Sequence, residues 1–154
     1  GWAELPPQPE WNPEQQLSLA IWVKVEDLEG MPVLICKGTW QQSGYFLQIF
    51  RKQLRFYIAG VGTLDAGQPK AGEWQHFAAT YGFGEMHAYI DGELVGRKRV
   101  AGRPLPSANP LLVGRYGLGE DVYFVRGLMD DIRIYNACLA PQEVKAIYES
   151  SKRD

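Results

Sequence analysis

Seven residues fall out of phase with apolar neighbours along strand-like segments in the middle of the chain: Gln48, Arg55, Tyr57, His76, Thr80, His87 and Tyr89. Their chemistry is recognition rather than bond-making. Planar rings stack on the C–H faces of sugars, while Arg, Gln and His offer directional hydrogen bonds to hydroxyls or carboxylates. If the segments share one sheet, these side chains form a single surface suited to a polysaccharide or oligosaccharide. The plain alternative is an ordinary solvated face of an antiparallel sheet. The two histidines are about four residues apart in the expected hairpin register, too far to share a metal ion directly.

A second set lies in or beside expected loops: Trp40, Phe83, Tyr116 and Tyr123. Rings presented on loops are more informative than buried ones. Arg115, Glu120 and Asp121 flank two of them and could orient a ligand. The alternative is that the rings fold back over the edge of the fold. Face-borne and loop-borne binding are equally supported by the sequence.

Catalytic patterns are missing from the sequence. There is no G-x-S-x-G and no H-E-x-x-H run, and Glu73, Glu85 and Glu93 sit at strand ends or turns, where a carboxylate is ordinarily solvated. Cys36 and Cys138 stand in no C-x-x-C pair or metal-ligand spacing. They are read either as a long-loop disulfide or as two small buried thiols. With 16 basic and 18 acidic residues and no basic end, nucleic acid is excluded as the expected partner. No apolar run approaches the roughly 20 residues of a membrane-spanning helix, so no membrane partner is expected.

The elements that must hold these residues are strands. Five Trp, eight Tyr, six Phe, 17 Gly and 10 Pro fit many short strands joined by tight turns. Leu17, Leu19, Ile21 and Val23 alternate with Ser18, Ala20, Trp22 and Lys24, the period of a half-buried strand. Further strands are expected over 2–5, 33–37, 45–50, 54–59, 74–81, 86–90, 94–100, 111–115 and 128–135. A turn at Lys52-Gln53 would set Phe50 opposite Arg55, and Asp91-Gly92 is a strong hairpin signal. Only the end of the chain reads as helix: Pro141 and Glu143 suit a first turn, and Val144, Ile147 and Tyr148 share a face. This predicts an all-β, antiparallel two-sheet sandwich with a short C-terminal helix. The 154 residues are one domain's worth. The opening Gly1-Trp-Ala-Glu-Leu-Pro-Pro lacks the charged start and apolar core of a secretory leader. The chain is therefore read as cut from a longer protein, with covalently linked neighbouring domains.

Four stretches, in order, carry a family resemblance. They are Leu19-Ala-Ile-Trp-Val-Lys24; Ile35-Cys-Lys-Gly38 with Gly44-Tyr-Phe-Leu47; Gly72-Glu-Trp-Gln-His-Phe-Ala-Ala-Thr-Tyr81 with Tyr89-Ile-Asp-Gly92; and Gly127-Leu-Met-Asp-Asp-Ile-Arg-Ile-Tyr-Asn136 with Leu139 and Glu143. Over nearly its whole length the chain resembles the laminin-G-like, concanavalin A-like lectin/glucanase domains of bacterial secreted proteins. The resemblance implies a jelly roll and an extracellular or cell-surface location. It also implies a non-catalytic module that brings a parent enzyme or surface protein to polysaccharide. A protein-interaction or spacer domain is the alternative. Resembling glucanases carry paired catalytic Glu residues with an Asp between them. No Glu-x-Asp-x-x-Glu or Glu-x-Asp-x-Glu run occurs here, which argues against hydrolysis.

The resemblance further implies a structural Ca²⁺ held by Asp130, which shares phase with Ile132 and Ile134 and so is expected to point inward. In the family an Asp-Gly strand usually precedes the position of Gly1; it is expected to be either missing or trimmed here, and a metal ligand to be absent with it. Asp131 is expected to face solvent or pair with a basic neighbour. The resemblance also makes the first and last long strands neighbours, which would let Trp22 stack on Arg133.

Overall fold

The structure, a computed structural model, describes residues 2–117 and 123–152. Among the described residues the strands are β1 (Ala3–Leu5), β2 (Leu17–Val25), β3 (Val33–Thr39), β4 (Ser43–Phe50), β5 (Gln53–Ile58), β6 (Gly62–Ala66), β7 (Trp74–Gly82), β8 (Glu85–Ile90), β9 (Glu93–Arg99), β10 (Leu111–Val113) and β11 (Gly127–Tyr135). One helix, α1 (Pro141–Ser150), follows. Sheet A runs β1-β10-β3-β4-β5-β6 and sheet B runs β11-β2-β7-β8-β9, with every neighbour antiparallel. This is the two-sheet sandwich that the alternation predicts.

The main core lies between the sheets. Leu17, Leu19, Ile21 and Val23 of β2 meet Leu47 and Ile49 of β4 and Phe56 and Ile58 of β5 there, joined by Phe77 and Ala79 of β7. β2 departs from the half-buried expectation because its second face is buried too. α1 lies over that face: Val144 packs with Ala20, Ala78 and Tyr89, and Tyr148 stacks on Trp22 at 5.6 Å. Pro141 opens the helix, and the Glu143 carboxylate accepts the Ala140 N–H at 2.9 Å.

Three hairpins close on two-residue turns with both central residues at positive φ: Arg51-Lys52, Phe83-Gly84 and Asp91-Gly92. Only the last carries a conventional turn pair. The β4–β5 turn is therefore Arg51-Lys52 rather than Lys52-Gln53, and Gln48 pairs with Arg55 while Phe50 pairs with Gln53. The correction moves the register by two residues, so each side chain keeps its expected face. Strand β6 was not expected from the sequence.

β11 corrects a second expectation. It neighbours β2, but its register shifts between Asp130 and Arg133, where Asp131 sits at φ 52. The extra residue flips the phase. Met129 and Ile134 pack on the core, while Leu128, Asp130 and Ile132 are exposed. Asp130 thus points outward, and its carboxylate accepts the Asp131 N–H at 2.7 Å. Asp131 pairs with Arg133, its basic neighbour, at 3.0 and 3.2 Å. Arg133 does not stack on Trp22, whose ring lies against His76 and Tyr148 instead.

Lys37 is fully buried, and its Nζ donates to the carbonyls of Ser107 and Asn109 at 2.6 and 2.9 Å. Burial pulls its pKa down. These bonds tie the long β9–β10 connection to β3. Lys37→Met is expected to cost about 2 kcal/mol, because both carbonyls then lose a charged donor. Urea denaturation would read this as a lower midpoint at an unchanged slope.

Candidate functional site: an aromatic groove on sheet A

The outward residues of β3, β4, β5 and β10 are unusually apolar for an open face. Val33, Cys36, Phe46, Tyr57 and Leu112 form a second cluster there with Ala59 and Tyr116, and Tyr123 packs against it. The rings run in a chain: Tyr123 to Tyr116 at 5.1 Å, Tyr116 to Phe46 at 6.1 Å, Phe46 to Tyr57 at 4.7 Å and Tyr57 to Trp40 at 4.5 Å. Above them opens a groove of about 380 Å³, lined by Trp40, Phe46, Gln48, Phe50, Arg55, Tyr116 and Tyr123 together with Met31 and Val33.

Two tyrosine hydroxyls fix the loop that carries Trp40. Tyr116 Oη accepts the Trp40 N–H and Tyr57 Oη accepts the Gln41 N–H, each at 2.7 Å. The loop can turn here because Gly38 and Gly44 face each other across β3 and β4. At Gly44, with φ 70, a Cβ would run into the Lys37 carbonyl oxygen. Trp40 remains 39% exposed, enough to offer a ring face to a ligand. Gln48 Nε2 donates to the Met31 carbonyl at 3.1 Å, which leaves its Oε1 as an acceptor. Arg55 lies over the Phe50 ring, with Cζ 3.8 Å from the centroid. It also makes a two-pronged pair with Asp65 on β6, Nε to Oδ1 and Nη2 to Oδ2, both at 2.7 Å.

The expected residues divide between two surfaces. Trp40, Gln48, Arg55, Tyr116 and Tyr123 line the groove, and Tyr57 supports it from beneath. Arg115 turns away, with its guanidinium 4.5 Å from the Trp2 ring and Nε donating to the Tyr116 carbonyl. His76, Thr80, His87 and Tyr89 belong to sheet B and never join the face of Gln48, Arg55 and Tyr57. His76 and Tyr89 are buried beneath α1, so they build the seat of the helix. His87 lies 3.8 Å from Glu85. Phe83 is 85% exposed, but on the β7–β8 turn of the other sheet. Glu120 and Asp121 lie outside the described residues.

Phe46, Phe50 and Asp65 were missed. The two phenylalanines share the parity of Gln48 and could have been found by it. Asp65 went unseen with its strand, although Thr63 and Asp65 alternate with Leu64 and Ala66.

The thiols do not pair. Cys36 is buried in the sheet A cluster, where desolvation pushes its pKa up to about 12, and Cys138 packs on Gly82 of sheet B. Among the described residues no three His, Cys, Asp or Glu side chains gather where they could hold a metal ion. Asp130, the residue implied to hold Ca²⁺, is turned outward.

An antiparallel sandwich with one face under a helix and the other open as an aromatic groove is the build of a lectin-like jelly-roll domain. The chain belongs to the concanavalin A-like lectin/glucanases superfamily, whose Laminin_G_3 family model matches residues 1–145. Among solved structures it is similar to a proposed carbohydrate-binding protein from Bacteroides ovatus ATCC 8483. That match has a TM-score of 0.74 and 15% identity, over 94% of this chain and 43% of that one. It is also similar to a heptameric SAP-like pentraxin from Limulus polyphemus, with a TM-score of 0.73 and 14% identity over 96% and 80%. The binding domain of botulinum neurotoxin serotype D gives 0.71 and 17% over 89% and 37%. The chain spans about two-fifths of the toxin and Bacteroides chains. At these identities the likeness establishes the fold. Among curated proteins the comparison finds no match.

Proposed function

We propose that the sheet A groove binds carbohydrate without catalysis, and that the domain carries a longer extracellular protein to polysaccharide. The observation that carries this reading is the half-open Trp40 ring facing the same groove as Gln48 and Arg55. Rings supply stacking faces, and the amide and guanidinium supply directional bonds to hydroxyls. The described lining holds no carboxylate, whereas glycoside hydrolysis draws on two. The carbohydrate-binding description of the Bacteroides protein supports the same ligand class.

Titration calorimetry against a panel of soluble oligosaccharides tests the reading. Saturable binding that shifts the resonances or fluorescence of the groove rings is expected. Absence of binding across neutral and acidic sugars would remove it. One observation favours a second reading, that of a protein-contact or spacer domain: Phe83 presents an almost fully exposed ring on the β7–β8 turn, at φ 52. Under that reading Phe83→Ser would weaken capture of the partner and leave sugar binding untouched.

A further inference from the structure

We propose that Asp65 restricts the groove to uncharged glycans by holding Arg55 as a neutral pair. The inference rests on the carbohydrate reading of the same groove. Arg55 is the one formally charged side chain in the described lining. Its partner stands directly opposite on β6, since Arg55 and Asp65 are cross-strand neighbours. Both contacts are 2.7 Å, and the two side chains are 16% and 33% exposed. The guanidinium lies over Phe50, with Cζ 3.8 Å from the ring centroid, and 5.8 Å from that of Trp40. A carboxylate at contact distance cancels the cation's charge for anything a few ångströms further out, leaving a dipole. An acidic sugar would have to displace Asp65 or accept its repulsion.

What the pair leaves available is neutral chemistry. Arg55 Nη1 has no partner among the described residues and can donate to a hydroxyl. Gln48 Oε1 accepts, and the Tyr116 hydroxyl, already an acceptor for Trp40, keeps its hydrogen to donate. Two further cations lie close by but outside the lining: Arg115 lies against Trp2, and Arg51 lies 5.3 Å from the Phe50 ring. Asp65 is therefore a positioning residue that sets ligand charge through Arg55.

The test titrates the wild-type chain and Asp65→Asn with a neutral oligosaccharide series and the matching uronic-acid series, at about 50 and about 300 mM salt. The wild type is expected to bind the neutral series, with affinity changing less than about two-fold between the salts. Asp65→Asn is expected to gain roughly ten-fold or more for the acidic series, with the gain shrinking at the higher salt. Asp65→Glu keeps the charge and is expected to keep the neutral preference, which separates charge from folding. A salt-sensitive wild-type preference for acidic sugars would overturn the inference and leave the groove reading standing. So would an Asp65→Asn protein that is folded yet unchanged in selectivity. Binding of neither series by any of the proteins would overturn the groove reading and this inference with it.

Discussion

Replacing Trp40 by Ala is expected to weaken oligosaccharide binding roughly 30-fold, which corresponds to about 2 kcal/mol, the scale of a buried aromatic anchor. The ring is the most accessible member of the groove's aromatic chain and lies within reach of Arg55. Its backbone N–H, not its indole, holds the loop to Tyr116, so the alanine variant keeps that anchor. The thermal midpoint should therefore fall by only a few degrees. Trp40→Phe retains a stacking face and should recover much of the loss. Calorimetric titration of the three proteins checks this. Unchanged affinity in the alanine variant would move the binding site off the groove.

A fall in pH is expected to loosen the domain through His76. The imidazole is 1% exposed, lies between Trp22 at 5.2 Å and Tyr148 at 6.0 Å, and has no hydrogen-bond partner at Nδ1. Burial pulls its pKa from 6.5 down to about 4, with Asp131 pulling the other way and Arg133 adding to the fall. The sign follows from which state takes up the proton. Above about pH 6.5 the ring is neutral both folded and unfolded, and stability does not depend on it. Between about 6.5 and about 4 the unfolded chain binds a proton that the folded chain refuses, so stability drops as pH falls. The loss reaches roughly 3 kcal/mol near pH 4 and then levels off. Urea midpoints across that window would show it. His76→Asn should flatten the His76 part of the slope, and an identical slope in that variant would exonerate the histidine. Trp22 fluorescence should report the same transition, because α1 stacks Tyr148 on that ring.

Local patterning made the strands legible. The alternation at Leu17 to Val23 and the Asp91-Gly92 turn each specify one answer, and the face of every β4 and β5 residue survived a register two residues off. Sheet membership was not legible. The outward polar residues of β7 and β8 look like those of β4 and β5, and nothing local says that α1 will cover one face and leave the other open. That is why His76 and Tyr89 of the expected surface proved to be a helix seat. Asp130 failed for a different reason. A single residue at positive φ, Asp131, reverses the inside and outside of a strand, and Asp is only weakly marked for that conformation. The groove itself was partly legible, since Trp40, Gln48, Arg55, Tyr116 and Tyr123 were all singled out. What sequence could not supply was their convergence, or the Asp65 that modifies one of them.

The strand order also has a consequence for how the chain comes to be folded. β2 is flanked by β7 and β11, and β1 is held by β10, so both sheets join segments from opposite ends of the sequence. Loops that long must close before these contacts repay the loss of chain entropy, which places such topologies among slow folders. Within the domain β2 is made well before its neighbour β11, and it carries apolar residues on both faces. Until β11 is made, one edge of this sticky strand lacks its partner, so the interval between making β2 and making β11 is when this domain is most exposed to aggregation.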